Sequence, residues 1–265
     1  MIHALIASTP LYLFIIEILK FFGGIGVLTL QLIRDTIKGK IYWKLVMEQV
    51  FQVGNRSLPL IVVTAISTGM VMSLQFGLGL EKFGGKMYVP KLVSLIVLRE
   101  MGPVFTSLMV AARVGAGFAS EIGSMVVTQQ IDAIRALGTS PLKTIVIPRV
   151  IATFISLPLL VAIANVVSNF GALLVGYSEL KLDPNFYVLK IIQTVTLMDY
   201  FSGFLKSFVF ALCIAIPSCY FGLTVKNGTK EVGMATTKAV VVSSILVLVG
   251  NFFLSKLFWI VERLT

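Results

Sequence analysis

Five long apolar runs, separated by short polar loops, constrain the fold of this chain more than any other feature of the sequence. The hydrocarbon core of a bilayer is about 30 Å thick, and an α-helix needs about 20 residues to cross it. Every run reaches that length, so the sequence predicts an all-α membrane protein with five transmembrane helices. The predicted spans are residues 57–80, 90–120, 143–176, 203–224 and 239–261.

The composition agrees with a membrane-embedded chain and accounts for its positive charge. Hydrophobic residues make up 57% of the 265 residues and charged residues 13%, with a mean hydropathy of +0.96. Soluble domains carry about 25% charged residues. A net charge of +10 would suggest a nucleic-acid partner in a soluble protein. In a membrane protein Lys and Arg gather in cytoplasmic loops, so no nucleic-acid partner is expected.

The distribution of basic residues predicts the orientation. Twelve Lys and Arg residues fall in the loops on one side of the predicted spans, and seven fall on the other side. The richer side is expected to be cytoplasmic. The prediction therefore places the N-terminus and the loop between spans 2 and 3 in the cytoplasm, and Thr265 on the opposite face.

Residues 1–56 form a predicted unit of their own, ahead of the five-span domain of residues 57–265. The stretch 4–33 is apolar, but Glu17, Lys20 and a cluster of glycines interrupt it. It is therefore predicted to be an N-terminal amphipathic helix at the membrane interface, with a tilted true span as the alternative. No signal-peptide cleavage site is apparent. A basic connector then leads to the first span through Arg34, Lys38, Lys40, Lys44 and Arg56.

The polar segment between spans 2 and 3, Glu121–Pro141, is predicted to form a short amphipathic helix. Val127, Ile131 and Ile134 recur at helical spacing and make one apolar face. Gly138 provides a stop, because glycine readily adopts the left-handed conformation that ends many helices. A helix held between two spans suits contact with a protein outside the membrane, although an ordinary interfacial loop helix gives the same pattern.

Several charged side chains lie inside predicted spans. Arg99 and Glu100 are adjacent in span 2, and Lys206 lies just inside span 4. If span 2 enters the membrane near Pro90, Arg99 lies ~14 Å along the helix, close to the bilayer centre. A charge there costs about 2.5–3.5 kcal/mol, so Arg99 and Glu100 are expected to face a partner or a wet cavity. Arg113, about 21 Å further along, can reach lipid headgroups or water.

Small residues recur at every fourth position in the second half of span 2. They are Ala111, Gly115, Ala119 and Gly123. Small residues at this spacing let helix backbones approach closely inside lipid. The stripe therefore predicts tight helix packing and carries no information about a substrate.

Motifs for catalysis and metal binding are absent from the sequence. It has no G-x-x-x-x-G-K-[ST], no H-E-x-x-H and no G-x-S-x-G, and its single histidine is His3. Cys213 and Cys219 are six residues apart and point to different sides of a helix, which favours neither a disulfide nor a metal pair. No catalytic residue, metal or cofactor is expected, and the chain is not predicted to be an enzyme.

The segment from Leu95 to Val150, LIVLREMGPVFTSLMVAARVGAGFASEIGSMVVTQQIDAIRALGTSPLKTIVIPRV, resembles the central signature of the MlaE family. ISLPLL, KSFVFA and TTKAVVVSS, further along the chain, extend the resemblance, which covers roughly Leu58 to the end. Proteins of this family are permease subunits of ABC transporters associated with MCE proteins. One difference lies where many relatives resemble TEQIDAL. Gln129 replaces a common Glu there and carries no charge for an ion pair with the ATPase.

The resemblance implies partners and a substrate. It implies a homodimer of five-span permease subunits in a bacterial inner membrane, with a cytoplasmic ABC ATPase below and an MCE-domain protein on the far side. Some systems of this family add a STAS-domain subunit. The implied substrate is a phospholipid or a similar lipid, moved between the inner membrane and the outer envelope. The alternative is a non-transporting scaffold or a passive channel, although a scaffold does not need intramembrane charges and a passive channel does not need an ATPase.

The resemblance suggests roles for residues of the polar segment, and the intramembrane charges suggest roles for residues of spans 2 and 4. The helix of about residues 121–138 becomes a coupling helix that seats in a groove of the ATPase. Its polar contacts would be Glu121, Gln129, Asp132 and Arg135. Arg99, Glu100 and Lys206 are hypothesised to line a central cavity between two subunits, where a lipid headgroup is held while its tails meet apolar walls. For Arg99 and Glu100, the alternative is a structural polar lock between helices.

Overall fold

The computed structural model describes residues 10–38, 41–226 and 228–264, and all regular structure within these ranges is helical. Five of the described helical segments are long and apolar enough to cross a membrane, which confirms the predicted fold class. We number them spans 1 to 5 in chain order: Trp43–Glu81, Lys86–Val127, Leu142–Ser178, Leu197–Leu223 and Thr229–Arg263.

Several spans contain more than one helix, and short helices connect them. In chain order the α-helices are α1 (Pro10–Lys38), α2 (Trp43–Gly54), α3 (Leu58–Glu81), α4 (Val89–Ile96), α5 (Gly102–Val110), α6 (Ala116–Val127), α7 (Gln130–Ala136), α8 (Ile147–Ser178), α9 (Pro184–Thr194), α10 (Leu197–Leu223) and α11 (Thr229–Leu264). Short 3-10 turns lie at Asn55–Ser57 and Lys86–Tyr88, and π-helical turns at Val97–Met101, Ala111–Gly115 and Leu142–Val146.

The spans extend further than the predicted apolar runs. Span 1 begins at Trp43 rather than at residue 57, so most of the predicted basic connector is helical, with α1 running to Lys38. Spans 4 and 5 also begin earlier than predicted. The reason is that hydropathy marks only the apolar core, whereas a helix, once formed, adds polar residues readily at its ends. The predictions for residues 1–9 and for Lys40 lie outside the described residues.

Helix α1 packs against spans 3 and 4 at the end of the bundle that carries α7, which we call the α7 end. Phe21 stacks on Phe221 of span 4, with ring centroids 5.4 Å apart. A carboxylate oxygen of Asp35 lies 3.9 Å from Nζ of Lys143, at the start of span 3. These contacts fix α1 to the bundle, while its placement at a membrane interface stays a prediction.

Spans 1 and 3 approach each other so closely that glycine is required at the contact. A Cβ on Gly69 would collide with the carbonyl oxygen of Ser168, and a Cβ on Gly171 would lie 2.5 Å from the carbonyl oxygen of Ile66. Such backbone contact is the packing that small residues permit between helices in lipid. It holds span 1 against span 3, while spans 2, 4 and 5 contribute the polar cluster described next.

Candidate functional site

Pro103 leaves the carbonyl of Arg99, inside span 2, without the donor that a regular α-helix would supply. Arg99 and Glu100 lie in the turn Val97–Met101, which is followed closely by Pro103. Proline has no backbone N–H, so it cannot donate to the carbonyl four residues earlier, which is that of Arg99. That carbonyl instead accepts a hydrogen bond of 2.9 Å from Nζ of Lys206 in span 4. The local sequence of span 2 thus helps to position a lysine from another span.

Lys206 is the centre of a buried polar network between spans 2, 4 and 5. Its side chain is 1% exposed, and Nζ donates to Oε1 of Glu100 and to Oγ of Ser255, each at 2.8 Å. Asn251, one turn before Ser255 in span 5, donates from Nδ2 to Oε2 of Glu100 at 2.8 Å. With the carbonyl of Arg99, the ammonium therefore has three acceptors for its three hydrogens, as a buried cation requires.

Arg99 joins two carboxylates from different spans. Its Nε donates to Oδ1 of Asp199 in span 4, and one of its terminal nitrogens donates to Oε1 of Glu262, near the end of span 5, at 2.7 Å. Asp199 is held by a capping box, because its Oδ2 accepts from the N–H and the hydroxyl of Thr196, both at 2.8 Å. Arg99 and Lys206 thus face three carboxylates, and the cluster carries a formal charge of −1.

A small pocket with charged residues in its walls, the charged pocket, lies beside this cluster and borders a larger apolar groove. The pocket has a volume of about 80 Å³, and its walls include Arg99, Glu100, Lys206 and Glu262. The groove has a volume of about 530 Å³. It is lined by Phe154, Leu205, Phe208, Val209, Leu254 and Phe258. Because Phe258 borders both, the charged pocket and the apolar groove meet at this residue.

The structure brings the three predicted cavity residues together. Arg99 contacts the first turn of span 4 and the last turn of span 5, so it lies near the end that carries α9, which we call the α9 end. The predicted depth of Arg99, near the bilayer centre, stays a prediction. Span 2 is 42 residues long, about twice a bilayer crossing, so counting from Pro90 does not measure depth. The predicted cavity between two subunits stays a prediction.

Sequence reasoning missed the other members of the cluster, which are Asp199, Glu262, Asn251 and Ser255. Thr196 and Asp199 form the T-x-x-D pattern of a capping box, a readable signal for the start of span 4. Asn251 and Ser255 place two polar residues one turn apart in an apolar run. Glu262 gives no such signal, because its ion pair joins residues that are 163 positions apart.

The predicted coupling segment consists of two helices rather than one. Helix α6 ends at Val127, Gln129 adopts the left-handed conformation with φ 59°, and α7 begins at Gln130. The prediction of one helix over about 121–138 is therefore corrected, because a residue in the left-handed region interrupts helical hydrogen bonding. Gly138, with φ 74°, follows α7 at the predicted stop.

The four predicted ATPase contacts occupy two different settings. Asp132 and Arg135 form a 3.0 Å ion pair on α7, with side chains that are 69% and 64% exposed, and Gln129 is exposed beside them. Glu121 instead pairs with Arg149 of span 3 at 2.8 Å. Because the Arg149 side chain is only 6% exposed, Glu121 neutralises a cation inside the bundle.

The predicted packing stripe of span 2 is buried in the structure. Ala111 and Ala119 are fully buried. A Cβ on Gly115 would lie 2.9 Å from Oγ of Ser218 in span 4, and a Cβ on Gly123 would lie 3.2 Å from the nearest side-chain atom. The stripe therefore lies where span 2 meets its neighbours most closely.

Arg113 and the two cysteines lie apart from the polar cluster. Arg113 donates a 2.6 Å hydrogen bond to Oγ of Ser57, in the 3-10 turn of span 1. Cys213 and Cys219 are free thiols in span 4. Within the described ranges, no group of three or more His, Cys, Asp or Glu side chains is placed to hold a metal ion.

Comparisons with known proteins agree on one family. A family model described as Permease MlaE matches residues 46–257. A probable ABC transporter permease protein of Rickettsia typhi is 40% identical over 242 residues, which cover 90% of this chain and 93% of the relative. A probable ABC transporter permease protein of Synechocystis sp. is 37% identical over 230 residues, covering 87% and 88%. The chloroplastic protein TRIGALACTOSYLDIACYLGLYCEROL 1 of Arabidopsis thaliana is 33% identical over 229 residues, covering 86% and 65%.

Proposed function

This chain belongs to the MlaE permease family of ABC transporter subunits, and we propose that it moves a phospholipid or a similar lipid across or out of its membrane. A permease subunit provides the path for the substrate, so a separate ATPase chain supplies ATP hydrolysis.

One observation carries the lipid assignment: the charged pocket and the apolar groove meet at Phe258. A phospholipid is an amphiphile that needs both surfaces side by side. The guanidinium of Arg99 offers the planar set of donors that suits phosphate oxygens. The groove, at about 530 Å³, lies within the usual range of about 300–1,000 Å³ for ligand sites, and its aromatic and aliphatic lining suits an acyl chain.

The cavity residues divide into a fixed part and an open part. The Lys206 side chain is 1% exposed and fully hydrogen-bonded to spans 2 and 5, so the Lys206–Glu100 pair acts as a polar lock between helices. The Arg99 side chain is 37% exposed at the pocket wall. We therefore assign contact with the headgroup to Arg99, and the positioning of the turn that carries it to Glu100 and Lys206.

A relative also supports a lipid substrate. The Arabidopsis protein, 33% identical to this chain, carries the name of a glycolipid, trigalactosyldiacylglycerol. A diacylglycerol-based lipid has the same division into a polar headgroup and acyl chains. The name supports the substrate class only, and we assign neither the headgroup nor the direction of transport from it.

The proposed assembly is a homodimer in a bacterial inner membrane, with partners at both ends. The α7 end faces the cytoplasm and the ATPase, since α7 presents the exposed Asp132–Arg135 pair and Leu137, which is 83% exposed. An MCE-domain protein binds at the α9 end, and a STAS-domain subunit is an optional member. The N-terminus lies on the cytoplasmic side in this arrangement.

The lipid assignment is tested by the Arg99→Gln variant of the assembled transporter. Lipid that co-purifies with the complex is extracted and quantified by mass spectrometry. Loss of a charge-assisted hydrogen bond should lower the bound phospholipid by about tenfold or more. Lys91→Gln is the matched control, because Lys91 is an exposed cation in the same span and lies outside the pocket. Equal phospholipid in the two variants contradicts the proposal.

The docking assignment is tested by exchanging the charges on α7. The double variant Asp132→Arg with Arg135→Asp keeps the ion pair within the helix and reverses what a partner meets. We expect less ATPase in the purified complex and slower ATP turnover, with unchanged thermal stability of the permease. Full ATPase recovery and full turnover would show that α7 is a solvated loop helix.

The orientation is tested at Ser140, which follows α7. Ser140→Cys should react with a membrane-impermeant maleimide only after cells are permeabilised. Cys213 and Cys219 are replaced by Ala in the same background, so that the label reports one position. Labelling in intact cells rejects a cytoplasmic α7 end.

A further inference from the structure

Arg99 has two carboxylate partners that differ in how firmly the fold holds them. The Asp199 side chain is 4% exposed and is bound by Thr196 in the capping box. The Glu262 side chain is 50% exposed, and its ion pair with Arg99 is its only polar side-chain contact in the described part of the chain. Asp199 is therefore a fixed partner, whereas Glu262 can leave at little cost, since exposed ion pairs are weak.

Glu262 lies in the wall of the charged pocket, in the last turn of α11. The neighbouring cation, Arg263, lies over the ring of Trp259 with 4.0 Å between its guanidinium carbon and the ring centroid. The match to the family model ends at residue 257, so Glu262 lies beyond the matched region. The family match itself therefore assigns no role to Glu262.

A carboxylate and a phosphate present similar acceptor oxygens to a guanidinium. A phosphate that binds Arg99 from the pocket competes with Glu262, because the Glu262 carboxylate borders the same pocket and accepts a 2.7 Å hydrogen bond from one terminal nitrogen of Arg99. When Glu262 is displaced, its carboxylate stays near the incoming headgroup because both adjoin the same pocket. A headgroup that also carries a protonated amine can pair with it, whereas a headgroup with only negative charge is repelled.

We propose that Glu262 is an internal competitor for Arg99 that selects zwitterionic aminophospholipids over anionic phospholipids. The phosphate of phosphatidylethanolamine binds Arg99, and its ammonium binds the displaced Glu262. Phosphatidylglycerol offers the same phosphate without the ammonium, so it displaces Glu262 and gains no partner for it. This inference rests on the proposed lipid-transport function and adds the residue that sets headgroup preference.

The test uses the assembled transporter reconstituted in nanodiscs with equal amounts of phosphatidylethanolamine and phosphatidylglycerol in a phosphatidylcholine background. After extraction into detergent, retained lipids are quantified by mass spectrometry as the ratio of phosphatidylethanolamine to phosphatidylglycerol. Glu262→Gln should lower this ratio by about two- to fivefold, the factor that corresponds to one exposed ion pair. Glu179→Gln is the control, because Glu179 is an exposed carboxylate at the same α9 end and lies outside the pocket.

The outcomes separate this inference from the function on which it rests. If Arg99→Gln loses both lipids and Glu262→Gln lowers the ratio while Glu179→Gln does not, the competitor role is supported. If Arg99→Gln loses both lipids but Glu262→Gln keeps the wild-type ratio, the competitor role is overturned and the lipid site stands. If Arg99→Gln retains both lipids, the site and the competitor role fail together.

Discussion

The buried pair of Lys206 and Glu100 gives the most demanding energetic prediction. Lys206→Met removes the ammonium and leaves a carboxylate that keeps two neutral donors, Asn251 and Ser255. Glu100→Gln removes the negative charge and leaves an ammonium whose side chain is 1% exposed. Each single variant therefore strands one charge between spans 2, 4 and 5, and the double variant strands neither.

The expected loss in the free energy of unfolding follows from the burial of each side chain and from the hydrogen bonds that remain in each variant. Removing one partner of a buried ion pair costs about 3–5 kcal/mol. Lys206→Met should cost about 3 kcal/mol, at the low end, because the Glu100 side chain is 33% exposed and retains two donors. The coupling energy between the two positions should be about 1.5–3 kcal/mol, the value of a hydrogen bond between charged groups. Neutral hydrogen bonds between membrane helices average about 0.6 kcal/mol, so the two cases are distinguishable.

A double-mutant cycle measures this coupling energy directly. Wild type, both single variants and the double variant are unfolded in micelles of increasing SDS fraction, with helicity followed by circular dichroism. Asp132 and Arg135 provide the control cycle, since they form an exposed pair that is three residues apart on α7. That pair should couple by about 0.5 kcal/mol or less.

A coupling energy for Lys206 and Glu100 no larger than that of the exposed pair would refute the polar lock. It would mean that water or lipid compensates each stranded charge, and that the network does not order the turn carrying Arg99. A large coupling energy together with normal dimer assembly would show that the Lys206–Glu100 pair stabilises each subunit by itself and is not required for the dimer. The amount of lipid retained by the double variant then shows whether the Lys206–Glu100 pair is also needed for substrate binding.

Three further predictions concern packing and buried polar groups. Gly69→Ala should lower the free energy of unfolding by about 3 kcal/mol or more, because its Cβ would meet a backbone carbonyl of span 3. Gly79→Ala in the same helix is the control, since its Cβ would meet no other atom, and it should be neutral or stabilising. Equal effects of the two variants in SDS titrations would reject the close contact between spans 1 and 3. Burial raises the pKa of Tyr187 to about 12, against a smaller opposing effect of the Ser73 hydroxyl. Tyr187→Phe removes at most one weak hydrogen bond with Ser73 and should change the free energy of unfolding by less than about 1.5 kcal/mol. A larger loss would contradict this description of the site. Glu121→Gln should lower the free energy of unfolding by about 1–3 kcal/mol, because it leaves the buried Arg149 side chain without its carboxylate partner. Loss of ATPase binding at unchanged stability would show instead that Glu121 contacts the ATPase.

Periodicity and hydropathy were sufficient to predict the architecture, for physical reasons local to each segment. A run of about 20 apolar residues satisfies its backbone only as a helix in lipid, so the number of spans is readable without any tertiary contact. The stop at Gly138 is equally local, because the left-handed conformation is a property of one residue. Span ends were less accurate, since a helix continues into polar sequence that hydropathy does not mark.

Only some residues of the candidate site could be predicted from the sequence. Charges inside apolar runs are costly wherever they lie, which is why Arg99, Glu100 and Lys206 could be selected from sequence. Their partners could not be selected, because the Arg99–Glu262 and Lys206–Glu100 pairs join residues 163 and 106 positions apart. Such pairing depends on how spans 2, 4 and 5 are rotated and shifted against one another.

Glu121 shows the same division at the other end of the bundle. From sequence it belongs to the polar segment that is proposed to meet an ATPase, because nothing local distinguishes it from Asp132. In the structure its carboxylate faces Arg149, a cation that span 3 buries 28 residues later in the chain. Local sequence determines that a residue is charged and helical. Packing alone decides whether that charge meets solvent, a partner protein or another span, since the free energy of a charge depends on what surrounds it.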